Sequence, residues 1–230
     1  LATVADSTGV DLRVLTGEDE AKLTFLAARR WFGWSAGQLL VLDIGGGSLE
    51  VAMGIDERPE LAESLPFGAG RITRTRFSND PPKRSEVVAT TAWLDDALSG
   101  LAERIRGVGE PDRVVATSKT FRSLARLTGA APSSAGPRVT RALTDTGLRQ
   151  LLSFITRMSS DDLAELEGVS GSRAHQLVGG ALVAEATMRA LSLERLEICP
   201  WALREGVILR RLDLSNGEDQ TALVTGRGRE

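Results

Sequence analysis

The chain carries one cysteine and one histidine among 230 residues. The lone thiol, Cys199, excludes an internal disulfide framework and fits a reducing compartment. One histidine and one cysteine do not make a zinc site of the usual kind. Any Ser-His-Asp or Cys-His scheme would rest on His175 alone. Long greasy runs are missing too, since no stretch approaches the roughly 20 apolar residues that span a bilayer. Asp6, Asp11, Arg13 and Glu18 break up the start, which does not read as a signal peptide. No charge of one sign dominates: 28 basic residues face 31 acidic ones, for a net charge of −3. Nothing global therefore points to nucleic acid or membrane, and an anionic substrate would have to be met by local basic clusters. The first residue is Leu1 rather than Met, on a short polar run, so the chain is expected to start inside a larger protein.

A hydrophobic content of 42% is ordinary for a globular protein, and the length is enough to bury a core. Val10 to Leu15 alternates like a half-buried strand. Thr16 then caps a helix, with Asp19 in the capping-box position, continuing to about Trp31. Leu39 to Leu42 is a continuous apolar strand, Leu49 to Ile55 a second and Leu61 to Leu65 a third. Ala69 to Phe77 reads as a basic helix. Leu94, Leu98, Leu101 and Ile105 recur at steps of 4, 3 and 4, predicting one long helix from Ser85 to Ile105. Arg113 to Ala116 is a buried strand, and Thr117-Ser118 caps a short helix to Leu127. Gly129 to Pro137 is a loop. Helices follow at about 144–155 and 159–166, then a strongly periodic one through Leu177, Ala181, Ala184, Met188 and Leu191. Leu193 to Ile198 is the last strand and Trp201 to Leu212 the last helix. The polar tail from Ser215 to Glu230 is expected to be disordered. Strands mixed with long helices read as α/β.

The informative stretch is Asp43-Ile44-Gly45-Gly46-Gly47-Ser48-Leu49-Glu50. It lies inside a hairpin rather than between a strand and a crossover helix. Glycines let backbone N–H groups converge on an anion with no Cβ in the way, and Ser48 adds a hydroxyl. A carboxylate beside a phosphate cradle repels the phosphate unless a cation stands between. Asp43 at the end of a buried strand suits Mg²⁺ held through its waters, with Glu50 returning to the same end of the hairpin. A bare glycine triplet also suits an ordinary turn, and Asp often ends a strand. The full Asp-x-Gly-Gly-Gly-Ser-x-Glu after four apolar residues is more specific.

Several segments resemble, in order, the exopolyphosphatase / guanosine pentaphosphate phosphohydrolase (Ppx/GppA) family. Gly17-Glu18-Asp19-Glu20-Ala21-Lys22-Leu23 is similar to its G-x-E-E-A-x-L. Asp43 to Glu50 resembles its D-I-G-G-G-S-T-E, with Leu49 in place of Thr. Ser64 to Thr73 resembles its S-L-x-x-G-x-x-R-L-T, Ala116 to Thr120 its A-S-G-T turn, and Leu203-Arg204-Glu205-Gly206 its L-R-E-G. Together they cover residues 10 to 212. Lys119 departs from the family by standing where glycine is usual. The family's other phosphate hairpin, D-x-G-S-N-S, is not found here, nor is its A-T-x-A-x-R segment.

The resemblance implies a ribonuclease H-like / actin-like ATPase lobe, with a mixed sheet flanked by helices. It implies residues 1–24 as the end of a first lobe and the interlobe hinge, 25–200 as the second lobe, 201–213 as a C-terminal helix near the hinge, and 214–230 as a disordered tail. It implies Mg²⁺-dependent release of terminal phosphate from inorganic polyphosphate, short chains favoured, or from guanosine pentaphosphate in the stringent response. A cytoplasmic homodimer is implied, with no nucleic-acid or membrane partner. Glu20 matches the proposed general base, although a helix-dipole acid would explain it, and Glu18 or Asp19 could fill that role. Asp43 and Glu50 would hold the metal or its waters. Gly45, Gly46, Gly47, Ser48 and Arg71 would hold phosphate.

Arg74, Arg76, Lys83 and Arg84 form a basic cluster with Arg71, and Lys119, Arg122 and Arg126 share one helical face. Each alone suits a solvated surface. His175 reads as structural, Gly179-Gly180 as a close-packing step, and Trp31, Trp34, Trp93 and Trp201 as core or interlobe packing. The rival classes are a non-catalytic polyphosphate or nucleotide binder and a kinase or Hsp70-like ATPase. A kinase should show an adenosine-binding G-G turn near Val114 to Lys119, which Ala116-Thr117-Ser118-Lys119 lacks.

Overall fold

A computed structural model describes residues 7–9 and 14–216. Positions 10–13 of the strand expected at Val10 to Leu15 lie outside the described residues, and Val14 and Leu15 are described but belong to no strand. The first helix, α1 (Gly17–Phe32), starts as the sequence requires, with Thr16 Oγ accepting from the Asp19 amide at 3.1 Å.

One sheet of six strands follows: β1 (Leu39–Ile44), β2 (Leu49–Gly54), β3 (Leu61–Leu65), β4 (Arg113–Ala116), β5 (Ala142–Thr144) and β6 (Arg195–Ile198), in the order β3-β2-β1-β4-β6-β5. β1, β2 and β3 form an antiparallel meander. β1, β4 and β6 run parallel, and β5 closes the far edge antiparallel to β6. β1 is therefore the pivot between the antiparallel and the parallel half.

Leu39 to Leu42 is apolar throughout because both faces of the pivot strand are covered. Alternation sends Leu40, Leu42 and Ile44 to one face, with Leu49, Val51 and Met53 of β2. Against them pack α2 (Ala69–Arg76), α3 (Arg84–Leu98), α4 (Leu101–Val108), α5 (Ser118–Leu127), α6 (Asp145–Ile155), α7 (Ser160–Ala164) and α8 (Leu177–Ala190). The other parity, Leu39, Val41 and Ala52, faces Ala21, Phe25 and Ala28 of α1. Asp43 and Glu50 share that parity, so they lie on the α1 side of the sheet.

α8 is buried almost all round. A Cβ on Gly179 would stand 2.6 Å from Thr73 Oγ1, and one on Gly180 would stand 2.6 Å from Thr120 Cγ2. The close packing expected of this glycine pair brings α2 and α5 against α8. The last helix, α9 (Leu203–Asn216), lies across α1, where a Cβ on Gly206 would overlap the Leu23 carbonyl at 2.0 Å.

Three expectations need correction. The stretch from Ser85 to Ile105 is two helices, broken at Ser99-Gly100. Leu94, Leu98, Leu101 and Ile105 are nevertheless all buried, so the period survives the break. β5 was not expected, because three residues are too few for a periodic signal. The last helix, expected to end at Leu212, runs to Asn216, and residues 217–230 of the expected tail lie outside the described ones. Among the described residues no helix is long and apolar enough to cross a membrane.

Candidate active site

Asp43 and Glu50 are direct Cα partners on the rung of the hairpin next to last before its loop. Both carboxylates thus stand at the same end of the hairpin and on the same face. Glu50 is only 5% exposed, and Ser64 Oγ on β3 donates to its Oε1 at 2.9 Å. Asp43 receives the Thr117 hydroxyl from the loop after β4.

Burial pushes the Asp43 carboxyl up to about 6, and the neighbouring Glu50 and Glu20 charges push the same way. The Thr117 hydroxyl and the Arg122 guanidinium act in the opposite direction. Glu50 is raised as well, chiefly by burial, against hydrogen bonds from Ser48 and Ser64. Glu20, on the first turn of α1, lies near enough for both carboxyls to feel its charge. The structure thus brings the three sequence-designated acids together.

The loop is fastened through its carbonyls. Gly45 O accepts from the Ala69 amide, Gly46 O from the Arg71 amide and Gly47 O from Arg71 Nε, each at 2.9 Å. Gly68 makes this approach possible, because a Cβ there would stand 2.3 Å from the Gly47 and Ser48 backbone. Gly45, Gly46 and Gly47 are different. None has a positive φ, and a Cβ on Gly47 would meet nothing within 4 Å. The fold itself does not require glycine there. An incoming oxyanion would, because a side chain at that point occupies its space.

Among the described residues there is no cluster of three or more His, Cys, Asp or Glu able to ligate a metal. Two carboxylates beside an open glycine loop still fit Mg²⁺, which commonly keeps waters and takes one or two carboxylates.

Among the basic candidates, Arg71 stands at the loop and has no carboxylate partner among the described residues. Lys119 is exposed on α5, and Arg122 faces Asp43. Arg126 is paired with Glu167, and Arg76 lies flat over Trp93 at 3.6 Å, so neither belongs to the site. His175 is exposed beside Gln176. Burial raises the Cys199 thiol to about 12, which leaves it unreactive. Trp31 packs on Trp201 and Trp93 on Phe67, but Trp34 is 66% exposed, not core.

Sequence reading missed Thr117 and Ser64. Thr117 holds the expected N-cap position of α5, yet its hydroxyl makes no cap bond and turns to Asp43 instead. The left-handed backbone of Ser118, φ 67°, marks the turn that aims it.

Comparison with known proteins gives the family and the fold. The profile of the Ppx/GppA phosphatase family matches residues 1–215. Exopolyphosphatase 1 of Mycobacterium tuberculosis (strain ATCC 25618 / H37Rv) is 63% identical over 224 residues, covering 97% of this chain and 64% of that protein. A guanosine-5'-triphosphate,3'-diphosphate pyrophosphatase of Aeromonas hydrophila is 26% identical over 197 residues, 86% of this chain and 38% of that one. The solved PPX-GPPA enzyme of Aquifex aeolicus superposes with a TM-score of 0.77 at 26% identity, over 91% of this chain and 69% of the other. The chain spans about two thirds or less of the length of these relatives. Its mixed α/β sheet flanked by helices is the actin-like ATPase fold of its structural neighbours. On the match of nearly its whole length, the chain belongs to the Ppx/GppA phosphatase family.

Proposed function

We propose that this chain is the phosphate- and metal-binding lobe of an exopolyphosphatase that removes terminal phosphate from inorganic polyphosphate, short chains favoured, with Mg²⁺. The observation that carries the reading is the glycine loop: three glycines that the backbone does not need stand beside two cross-strand carboxylates. The name of the relative at 63% identity favours polyphosphate over guanosine pentaphosphate, which rests on a relative at 26%. In this reading residues 1–24 form the hinge with a first lobe supplied by the rest of the protein. Residues 25–200 form the second lobe, and 201–213 are the helix beside the hinge. A cytoplasmic homodimer belongs to the same reading.

Asp43 and Glu50 would hold the metal or its waters. Bound there, the ion would neutralise charge on the terminal phosphates and on the leaving group. The amides of Gly46, Gly47 and Ser48 and the Arg71 guanidinium would hold the terminal phosphoryl oxygens, while the Gly45 amide closes the turn by donating to the Ser48 carbonyl at 2.9 Å. Glu20, at the rim, would orient a water and take its proton as the water oxygen attacks phosphorus. The phosphoanhydride P–O bond then breaks, leaving orthophosphate and a chain one phosphate shorter.

The test is phosphate release by the full-length protein from short polyphosphate, guanosine pentaphosphate and ATP under Mg²⁺. Polyphosphate is expected to be the best substrate, and Glu20→Gln to lower kcat by about 10²–10⁴-fold. Activity no greater than that of Glu20→Gln on all three refutes the enzyme. Faster release from guanosine pentaphosphate shifts the assignment to the other branch of the family.

A further inference from the structure

Ser64 is the Cα partner of Glu50 across the β2–β3 pair, and its hydroxyl donates to Glu50 Oε1 at 2.9 Å. The same side chain touches the start of α1. A Cβ built on Gly17 would stand 2.4 Å from both Ser64 Cβ and Ser64 Oγ. No side chain fits at position 17 unless α1 or β3 moves. Three residues on, Glu20 closes the first turn, its amide donating to the Thr16 carbonyl at 3.0 Å. One small hydroxyl residue therefore abuts both a buried carboxylate and the seat of the helix turn that bears the third acid.

Stability alone does not explain it. β3 is an edge strand and Ser64 is exposed, so loss of its hydroxyl alone should cost the fold little. Glu50, by contrast, is a buried acid whose oxygens need partners and whose orientation follows from them.

We propose that Ser64 is a positioning residue for the hydrolysis: it orients Glu50 and sets the seat of the first turn of α1, so that Glu20 and Glu50 keep one fixed spacing. The inference rests on the site reading above.

The test uses the full-length protein and three variants. Ser64→Ala removes the donor without filling space. It is expected to lower kcat about 10-fold and to weaken Mn²⁺ binding, measured by electron paramagnetic resonance without substrate, by about 10-fold, the usual range for a residue that orients a metal ligand. KM for polyphosphate should stay within about twofold. Ser64→Cys, similar in shape with a weak donor, should fall between wild type and Ser64→Ala. Ser64→Val presses extra methyls towards Gly17 and should lose more than Ser64→Ala. Melting temperature should barely change for Ser64→Ala.

Wild-type kcat and Mn²⁺ affinity in Ser64→Ala would overturn the proposal, as would a loss confined to KM or one matched by loss of folded protein. Equal losses for Ser64→Val and Ser64→Ala would overturn the seating role. Glu20→Gln and Asp43→Asn measured alongside separate the two levels. If they stay active, the site reading falls. If they are dead while Ser64→Ala is wild type, only the role of Ser64 falls.

Discussion

Replacing Asp43 by Asn should make the metal-free protein more stable at neutral pH while destroying its function. The Asp43 carboxyl titrates at about 6 instead of 3.8, mainly because burial disfavours its charged form. A group of this kind stabilises the fold fully below its unfolded value, and that contribution is lost as the pH rises through the folded value. The window is therefore about pH 4 to 6, with the full penalty above it. At about 1.36 kcal/mol per pH unit, the displacement amounts to a ceiling of about 3 kcal/mol. Partial exposure of Asp43 reduces this to about 1–3 kcal/mol. Asn fits the same space and still accepts from Thr117. The assay is urea unfolding in EDTA from pH 4 to 8, comparing the two proteins at each pH so that titrations common to both cancel. The gap should be near zero at pH 4, open by pH 6 in favour of Asn, and then stay level. Mg²⁺ should close it by stabilising only the wild type. A gap independent of pH, or a variant less stable at pH 8, would refute the electrostatic account of this site.

The other expected outcomes separate glycines that fold from glycines that bind. Gly47→Ala should leave melting temperature unchanged or slightly higher, since its Cβ meets nothing within 4 Å and its φ is ordinary, yet phosphate release should fall at least about tenfold. Gly68→Ala should cost about 1–3 kcal/mol of stability, because its Cβ would stand 2.3 Å from immovable backbone. Wild-type activity in the first, or wild-type stability in the second, contradicts the roles given to them. Thr117→Val keeps the shape and loses the donor to Asp43. It should lower kcat about tenfold at an unfolding cost of about 1–2 kcal/mol, checked by steady-state kinetics and urea titration.

The parts of this fold legible in the sequence were those with short-range physical causes. The apolar run at Leu39 to Leu42, the hairpin around the glycines and the Thr16 cap all followed from alternation, turn chemistry and capping. So did the closeness of Asp43 and Glu50, since a tight hairpin must return the chain to the same rung. Less legible was anything set by contact between distant segments. Ser64 stands out in the sequence only as the first residue of a family segment, and its contact with Gly17, 47 positions away, is not visible there. Arg29 raised no signal, yet it is 1% exposed. It donates to the carbonyls of Gly33, Gly37 and Gly54 at 3.2, 2.7 and 2.9 Å, pinning the end of α1 to the end of β2. Local pattern gives no way to see a buried guanidinium whose partners are all backbone. The basic clusters are hard to read for a related reason. Charge spacing along a helix says nothing about partners on other elements, and Arg126 and Arg76 had theirs in Glu167 and Trp93.

Why the site sits where it does follows from the sheet. β1 has a parallel neighbour on one side and, on the other, an antiparallel neighbour that follows it directly through a tight hairpin, whereas the antiparallel neighbour of β6, β5, is far from it in sequence. An antiparallel neighbour returns immediately, so the residue facing Asp43 across the hairpin is fixed as Glu50. A parallel neighbour ends at the same edge, so the loop leaving β4 delivers Thr117 and the start of α5 to the other side of Asp43. The carboxyl edge of parallel strands is where open α/β sheets bind ligands. Here the hairpin adds its glycine loop to that edge, and α1 lays its first turn over it. At the end of β1 a carboxylate is flanked by a hairpin return on one side and the loop leaving a parallel strand on the other. An acid moved two residues back, to position 41, would face Phe25 and Ala28 in the core instead. Placed there, it would be a buried charge with no partner, and the lobe would unfold rather than bind.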